Sequence, residues 1–223
     1  MPIVAATPEA IEAAAEALRG GEIVAFPTDT VYGLGANALD TRAVAKVFAA
    51  KGRPGANPLI VLVPDLDKAG AFAEVGAAAR KLADAFWPGA LTLVLPRRLD
   101  CPLAAPVSAG LDTIAVRAPD HKVALALLAR SGMPIVAPSA NRSGRTSPKT
   151  AAEVEAELGD SPALILDGGP APLGRESTIV SLVGRTPLLL RQGALPRESI
   201  EGVLSRRLAE PSEAHAAASE QRP

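Results

Sequence analysis

The chain has a single cysteine, Cys101, and two histidines, His121 and His215, among its 223 residues. One thiol builds neither a disulfide framework nor a thiolate metal cluster, so nothing asks for an oxidising compartment and a cytoplasmic setting is expected. Two histidines, one of them close to the C-terminus, leave little for a Ser-His-Asp triad or a multi-histidine metal site, and no side-chain metal site is expected. Aromatic residues make up 3% of the chain, too few for a stacking platform that binds single-stranded nucleic acid. No apolar run approaches the ~18 residues of a membrane span. The N-terminus carries Glu9, Glu12 and Glu16 without a basic start, so it is not read as a secretory signal. Also missing are the Gly-x-x-x-x-Gly-Lys-Ser/Thr phosphate loop, the dinucleotide Gly-x-Gly-x-x-Gly and the His-Glu-x-x-His zinc motif.

What is present suits one ordinary folded domain. Hydrophobic residues are 48%, charged residues 21%, and the formal net charge is -1, which argues against a protein that coats DNA. Thr7, Pro8 and Glu9 signal a helix start, and Gly20-Gly21 its stop. Further helices are expected from Asp40 or Thr41 to Ala50 and over residues 76–86, 120–130 and 150–158. Short apolar runs at residues 23–26, 59–63, 91–95, 113–117, 135–137, 163–166 and 178–183 read as strands. Residues 187–191 can pair with the last of these across Gly184-Arg185-Thr186. The alternation predicts an α/β fold, a twisted mixed sheet flanked by helices and closed by a hairpin. Residues 205–223 lack periodicity and read as a flexible tail behind a domain of residues 1–204.

Four polar segments leave or enter strands: residues 28–35, 51–57, 139–147 and 167–177. In open α/β sheets such loops gather into one site. They bring hydroxyls, amides, glycines and the cations Lys51, Arg53, Arg142, Arg145 and Arg175, with Lys149 just beyond. That is an anion-binding set, most economically a phosphate-binding one, although each piece alone is ordinary surface or turn chemistry. Arg117 differs, because it ends an apolar strand where an unpaired guanidinium is costly, so an anionic partner is expected. Cys101 reads as a small apolar side chain and His121 as a helix-start residue.

The run from Phe26 to Ala38, Phe-Pro-Thr-Asp-Thr-Val-Tyr-Gly-Leu-Gly-Ala-Asn-Ala, resembles the signature of the YrdC/YciO family of threonylcarbamoyl-adenylate synthases. The family's split Lys-x-Arg and Ser-x-Asn motif is matched by Lys51, Arg53, Ser139 and Asn141. Asn57-Pro58-Leu59-Ile60-Val61, Arg117-Ala118-Pro119, Glu176-Ser177-Thr178 and Arg191-Gln192-Gly193 follow in family order, and the likeness covers about residues 8–204.

This resemblance implies a YrdC-like fold with a basic concave site. It also implies a nucleotidyltransferase reaction, in which L-threonine, bicarbonate and ATP give threonylcarbamoyl-AMP and pyrophosphate for the t6A modification at tRNA position 37. It implies that Lys51 and Arg53 are catalytic. Those two, with Asn57, Thr113, Ser139, Asn141, Ser147 and Arg191, would bind ATP, and Thr30, Arg117, Ala137 and Ser177 would bind threonine. Mg²⁺ is expected with the triphosphate. The implied partners are the downstream tRNA threonylcarbamoyl transferase machinery and, weakly, tRNA or double-stranded RNA, with no membrane. Leu62 departs from the pattern, standing where many members carry histidine. The length matches the single-domain form or a shortened two-domain member. Two alternatives are a YciO-type or carbamoyl-handling nucleotide-binding paralogue, and a non-catalytic module for double-stranded RNA or tRNA.

Overall fold

The computed structural model describes residues 2–211. In chain order the elements are β1 (Ile3–Ala5), α1 (Pro8–Arg19), β2 (Val24–Pro27), β3 (Tyr32–Asn37), α2 (Thr41–Lys51), β4 (Ile60–Leu62), α3 (Leu66–Ala69), α4 (Ala77–Phe86) and β5 (Leu91–Pro96). There follow α5 (Ala105–Ser108), β6 (Thr113–Arg117), α6 (Lys122–Ser131), β7 (Ile135–Val136), α7 (Ala151–Leu158), β8 (Leu164–Asp167), β9 (Thr178–Ser181), β10 (Leu188–Arg191) and α8 (Arg197–Leu204). Local chemistry sets many of these boundaries. Thr7, Asp40 and Thr150 each accept a backbone N–H at a helix start, and Gly52 and Gly132 end α2 and α6 in the left-handed conformation that costs glycine nothing.

The strands form one mixed sheet in the order β1-β8-β2-β3-β7-β4-β6-β5-β9-β10, so the expected α/β architecture holds and the β9/β10 hairpin closes one edge. Neighbouring residues of a strand point to opposite faces. Val24 and Phe26 pack with α1 and α6, whereas Ala25 between them joins the larger core beneath α2, α4 and α7. The smaller layer reaches over β8, β2 and β7 as far as Leu62 on β4. Beyond it, the same face of β4, β6, β5, β9 and β10 carries no helix, and the cavity described below lies there.

Two expectations change. Residues 28–35 were expected to form one polar loop, but only residues 28–31 turn; Tyr32 to Gly35 pair antiparallel with β2. The glycines that suggest a loop are instead needed for close packing, since a Cβ on Gly35 would lie 2.6 Å from the Phe26 ring. The boundary at residue 204 also moves. Leu208 is buried, the Ala209 N–H bonds the Pro187 carbonyl at 3.0 Å, and Arg197 holds both the Leu208 carbonyl and Glu210. Residues 208–210 therefore pack on the domain, and residues 212–223 of the expected tail, with His215, lie outside the described residues.

Candidate active site

The turn after β2 is pinned by Thr28. Its hydroxyl donates to the Val31 carbonyl at 2.7 Å and accepts the N–H groups of Thr30 and Val31. A hydroxyl has one proton, so the 2.9 Å contact between Thr28 and Thr30 must run from Thr30 to Thr28. Arg117 Nη1 donates to Thr30 Oγ1 at 2.8 Å. Thr30 Oγ1, which accepts from Arg117, keeps a lone pair for the cavity.

Arg117, at the end of β6, is buried. Its Nε donates to the Gly89 carbonyl at 2.9 Å and its Nη2 pairs with Asp29 Oδ1. Asp29 Oδ1 also takes the Asp120 N–H at 3.1 Å. Burial lowers the Arg117 pKa, while the Asp29 charge opposes that fall. The anionic partner expected for Arg117 is therefore first of all internal.

Arg191, from β10, grips Ser177 twice, and Ser177 Oγ lies 2.8 Å from Thr92 Oγ1. Arg53 is positioned by the left-handed Gly52 and by its bonds to the carbonyls of Asn57 (3.2 Å) and Pro58 (2.9 Å). Burial lowers the pKa of Arg53, with Arg191 adding to the fall, so two guanidiniums act on one space; burial lowers Arg191 as well, with Glu176 opposing. Together these groups line a cavity of about 230 Å³ that also includes Thr28, Ala137, Ser139 and Glu176.

Of the residues expected at the site, Arg53, Ser139, Arg191, Thr30, Arg117, Ala137 and Ser177 lie on the cavity wall. The others stand behind it or apart. Lys51, expected on phosphate, is buried, and its Nζ donates to the carbonyls of Ser139 and of Asn141, the latter at 2.5 Å. Desolvation first, then Arg53, pulls this amine down to about 8, with Glu157 opposing. Asn141 shapes the same loop by donating to the Arg142 and Arg145 carbonyls at 2.8 and 2.7 Å. Asn57 contributes its carbonyl to Arg53, and Ser147 bonds Glu176 Oε1 at 2.5 Å. Thr113 begins β6, whose Ala115 and Arg117 reach the wall while Thr113 does not. Of the other loop cations, Arg142 donates its Nε to the Glu157 backbone carbonyl at 3.1 Å and Arg145 pairs with the Glu157 carboxylate at 3.6 Å, and neither lies on the cavity wall.

Sequence reasoning assigned no role to Thr28, Asp29 or Glu176. The signal for Asp29 was a carboxylate next to an apolar strand end, which needs a cation as much as Arg117 needs an anion. Leu62 is buried and forms part of the apolar wall.

Three guanidiniums, oriented hydroxyls and one carboxylate gather on the open half of an α/β sheet, a set whose chemistry suits anionic groups. The family model Sua5/YciO/YrdC, described as "Telomere recombination", matches residues 16–193, and the chain belongs to that family. A threonylcarbamoyl-AMP synthase of Bacillus subtilis is 52% identical over 198 residues, 87% of this chain and 56% of the relative. A putative threonylcarbamoyl-AMP synthase of Mycobacterium tuberculosis is 42% identical, with 87% of this chain and 88% of the relative covered. A solved Sua5 of Pyrococcus abyssi complexed with L-threonine superposes with a TM-score of 0.88 at 46% identity, covering 92% of this chain and 60% of that one. The chain spans a little over half the length of several of the curated relatives it matches. No helix among the described residues is long and apolar enough to cross a membrane.

Proposed function

We propose that the chain carries threonylcarbamoyl-AMP synthase activity, joining L-threonine, bicarbonate and ATP to give threonylcarbamoyl-AMP, pyrophosphate and water. The observation that carries this reading is one cavity with two groups of anion-binding residues, Arg117 with Thr30 and Arg53 with Arg191, the Arg191 charge reaching both Arg53 and Arg117. Similarity to relatives named for this reaction supports it. The threonine carboxylate would lie on Arg117 and a donor N–H or O–H of threonine on the Thr30 lone pair, with Ser177 and the Ala137 backbone completing that group. The phosphates would lie on Arg53 and Arg191 beside Ser139. Lys51, Asn141 and Ser147 would act by shaping the walls rather than by touching phosphate, and Asn57 through its carbonyl; Thr113 is too far along β6 for a wall contact.

The threonine amine adds to the bicarbonate carbon, and loss of water leaves a carbamate. A carbamate oxygen then attacks the α-phosphorus, and the bond to the β-phosphate breaks with its electron pair leaving on pyrophosphate. Such a step asks the protein for alignment and charge neutralisation, which three fixed guanidiniums supply. Among the described residues no three His, Cys, Asp or Glu side chains gather, and Glu176 is the sole carboxylate on the wall. This donor set fits Mg²⁺ carried by phosphate and water oxygens, with Glu176 as its one available protein ligand. The ion would screen the triphosphate charge. The product would pass, in the cytoplasm, to the machinery that modifies tRNA position 37; tRNA or double-stranded RNA binding belongs to this reading only as a weak accessory contact.

Pyrophosphate release from ATP with bicarbonate and Mg²⁺, measured with threonine, serine, alanine or no amino acid, tests the reading. Threonine-dependent release with the adenylate identified by mass is the expected result. ATP binding without threonine-dependent release would instead assign the chain to a nucleotide-binding paralogue, with Leu62 as the first suspect. Salt-steep RNA binding without turnover would assign it to an RNA-binding module.

A further inference from the structure

We propose that Asp29 is a positioning residue that fixes which N–H groups of Arg117 remain for the ligand, and so sets the affinity for a carboxylate substrate without touching it. The inference rests on the reading of Arg117 as the threonine carboxylate site.

A guanidinium has five N–H groups, and the structure accounts for three. Nε is held by the Gly89 carbonyl, Nη1 by Thr30 and Nη2 by Asp29, so all three nitrogens are tied and each terminal nitrogen keeps one N–H. Two N–H groups are what a carboxylate takes from an arginine fork. The ties come from three directions, and the guanidinium plane cannot turn without breaking at least two of them. Asp29 is the charged tie and is itself anchored. Its Oδ1 holds the Asp120 N–H at the entry to α6, and its carbonyl accepts the Leu173 N–H at 3.0 Å. Its Oδ2 is buried without a partner, so half of the carboxylate's hydrogen-bonding capacity is unused in a place where that is costly. A residue selected only for stability would find a cheaper arrangement. An aspartate kept there for the orientation and charge of Arg117 explains why the arrangement persists.

The test is a double-mutant cycle read by calorimetric binding of L-threonine and, separately, of ATP. Asp29→Asn keeps the shape and removes the charge. It is expected to weaken threonine binding about tenfold and to leave ATP binding and a cooperative melt intact. In an Arg117→Ala background, Asp29→Asn should change threonine binding no further, a non-additivity that a general structural role would not produce. If Arg117→Ala leaves threonine binding unchanged, the carboxylate reading of the site fails. If Arg117→Ala weakens it and Asp29→Asn does not, the positioning role alone fails. Should Asp29→Asn not fold, Asp29→Glu carries the test, since it keeps the charge and moves it by one methylene; unchanged threonine affinity would overturn the proposal. The parent protein gives an independent reading. The Arg117 Nη nitrogens should give two resolved ¹⁵N signals, and one averaged signal would show a guanidinium that is not held.

Discussion

Arg191 holds Ser177 by two hydrogen bonds, Nε to the carbonyl oxygen at 3.0 Å and Nη2 to Oγ at 3.1 Å. The pair fastens the edge hairpin to the loop that enters β9, and it joins the two groups of the cavity, because the Arg191 charge is felt by Arg53 and by Arg117 alike.

Arg191→Lys should therefore disturb both substrates. A lysine keeps the charge but cannot present two parallel N–H groups to one residue. Initial-rate measurements should show KM raised for ATP and for threonine alike, each roughly tenfold, the size expected for loss of a charge-assisted pair of bonds. An effect confined to ATP would mean that the grip on Ser177 is incidental.

Lys51 should matter to folding as much as to turnover, because its buried ammonium is the partner of two backbone carbonyls. Lys51→Met removes that partner at similar volume and should cost about 3 kcal/mol in denaturant unfolding, together with loss of activity as the loop carrying Ser139 loosens. The amine is pulled down to about 8 in the folded protein from 10.5. Between those values the unfolded chain binds more protons than the folded one, so stability rises with pH. The slope is at most about 1.4 kcal/mol per pH unit, and below pH 8 this group contributes no slope. Urea titrations from pH 7 to 10 should show the rise in the parent protein and its absence in Lys51→Met.

The same residue shows how far sequence could be read. Helix caps at Thr7, Asp40 and Thr150 and the short apolar strands are local features, and most of the element order was legible from them. The gathering of four loops follows from strands entering and leaving one sheet edge, so the site's composition was legible as well. What a side chain does once there depends on depth and direction. Lys51 and Arg53 sit two positions apart, yet the left-handed Gly52 between them leaves one buried beneath a loop and the other on the cavity wall. The Asp29–Arg117 pair joins residues 88 apart in sequence, a distance over which neither periodicity nor spacing carries a signal.

Glu176 is the one acidic side chain on a wall otherwise lined by Arg53, Arg117 and Arg191, and Ser147 holds its Oε1 at 2.5 Å. Neutralising it should raise the positive potential felt by a polyphosphate. Glu176→Gln is expected to bind Mg²⁺-free ATP several-fold tighter than the parent, with the gain shrinking as salt is added. Binding titrations in chelator at low and moderate ionic strength measure this. A weaker complex would mean that the carboxylate acts through Ser147 and the loop rather than through its charge.

Gly193 follows Arg191 by two residues, and its N–H bonds Thr178 Oγ1 at 3.0 Å. A Cβ there would lie 2.2 Å from the Ser177 carbonyl carbon and 2.3 Å from the Glu176 oxygen, both backbone atoms that no rotamer change can move aside. Gly193→Ala should thus push β10 off the loop before β9, cost about 3 kcal/mol, the upper end for overpacking, and abolish the Arg191 grip on Ser177. Gly202 is the matched control. It lies within α8, where an added methyl group would meet nothing within 4 Å, and replacing a helix-interior glycine by alanine gains about 1 kcal/mol. Chemical denaturation of the two variants side by side should move in opposite directions. Threonine and ATP binding should survive in Gly202→Ala and fail together in Gly193→Ala, because the lesion falls on the joint between the two groups of the cavity.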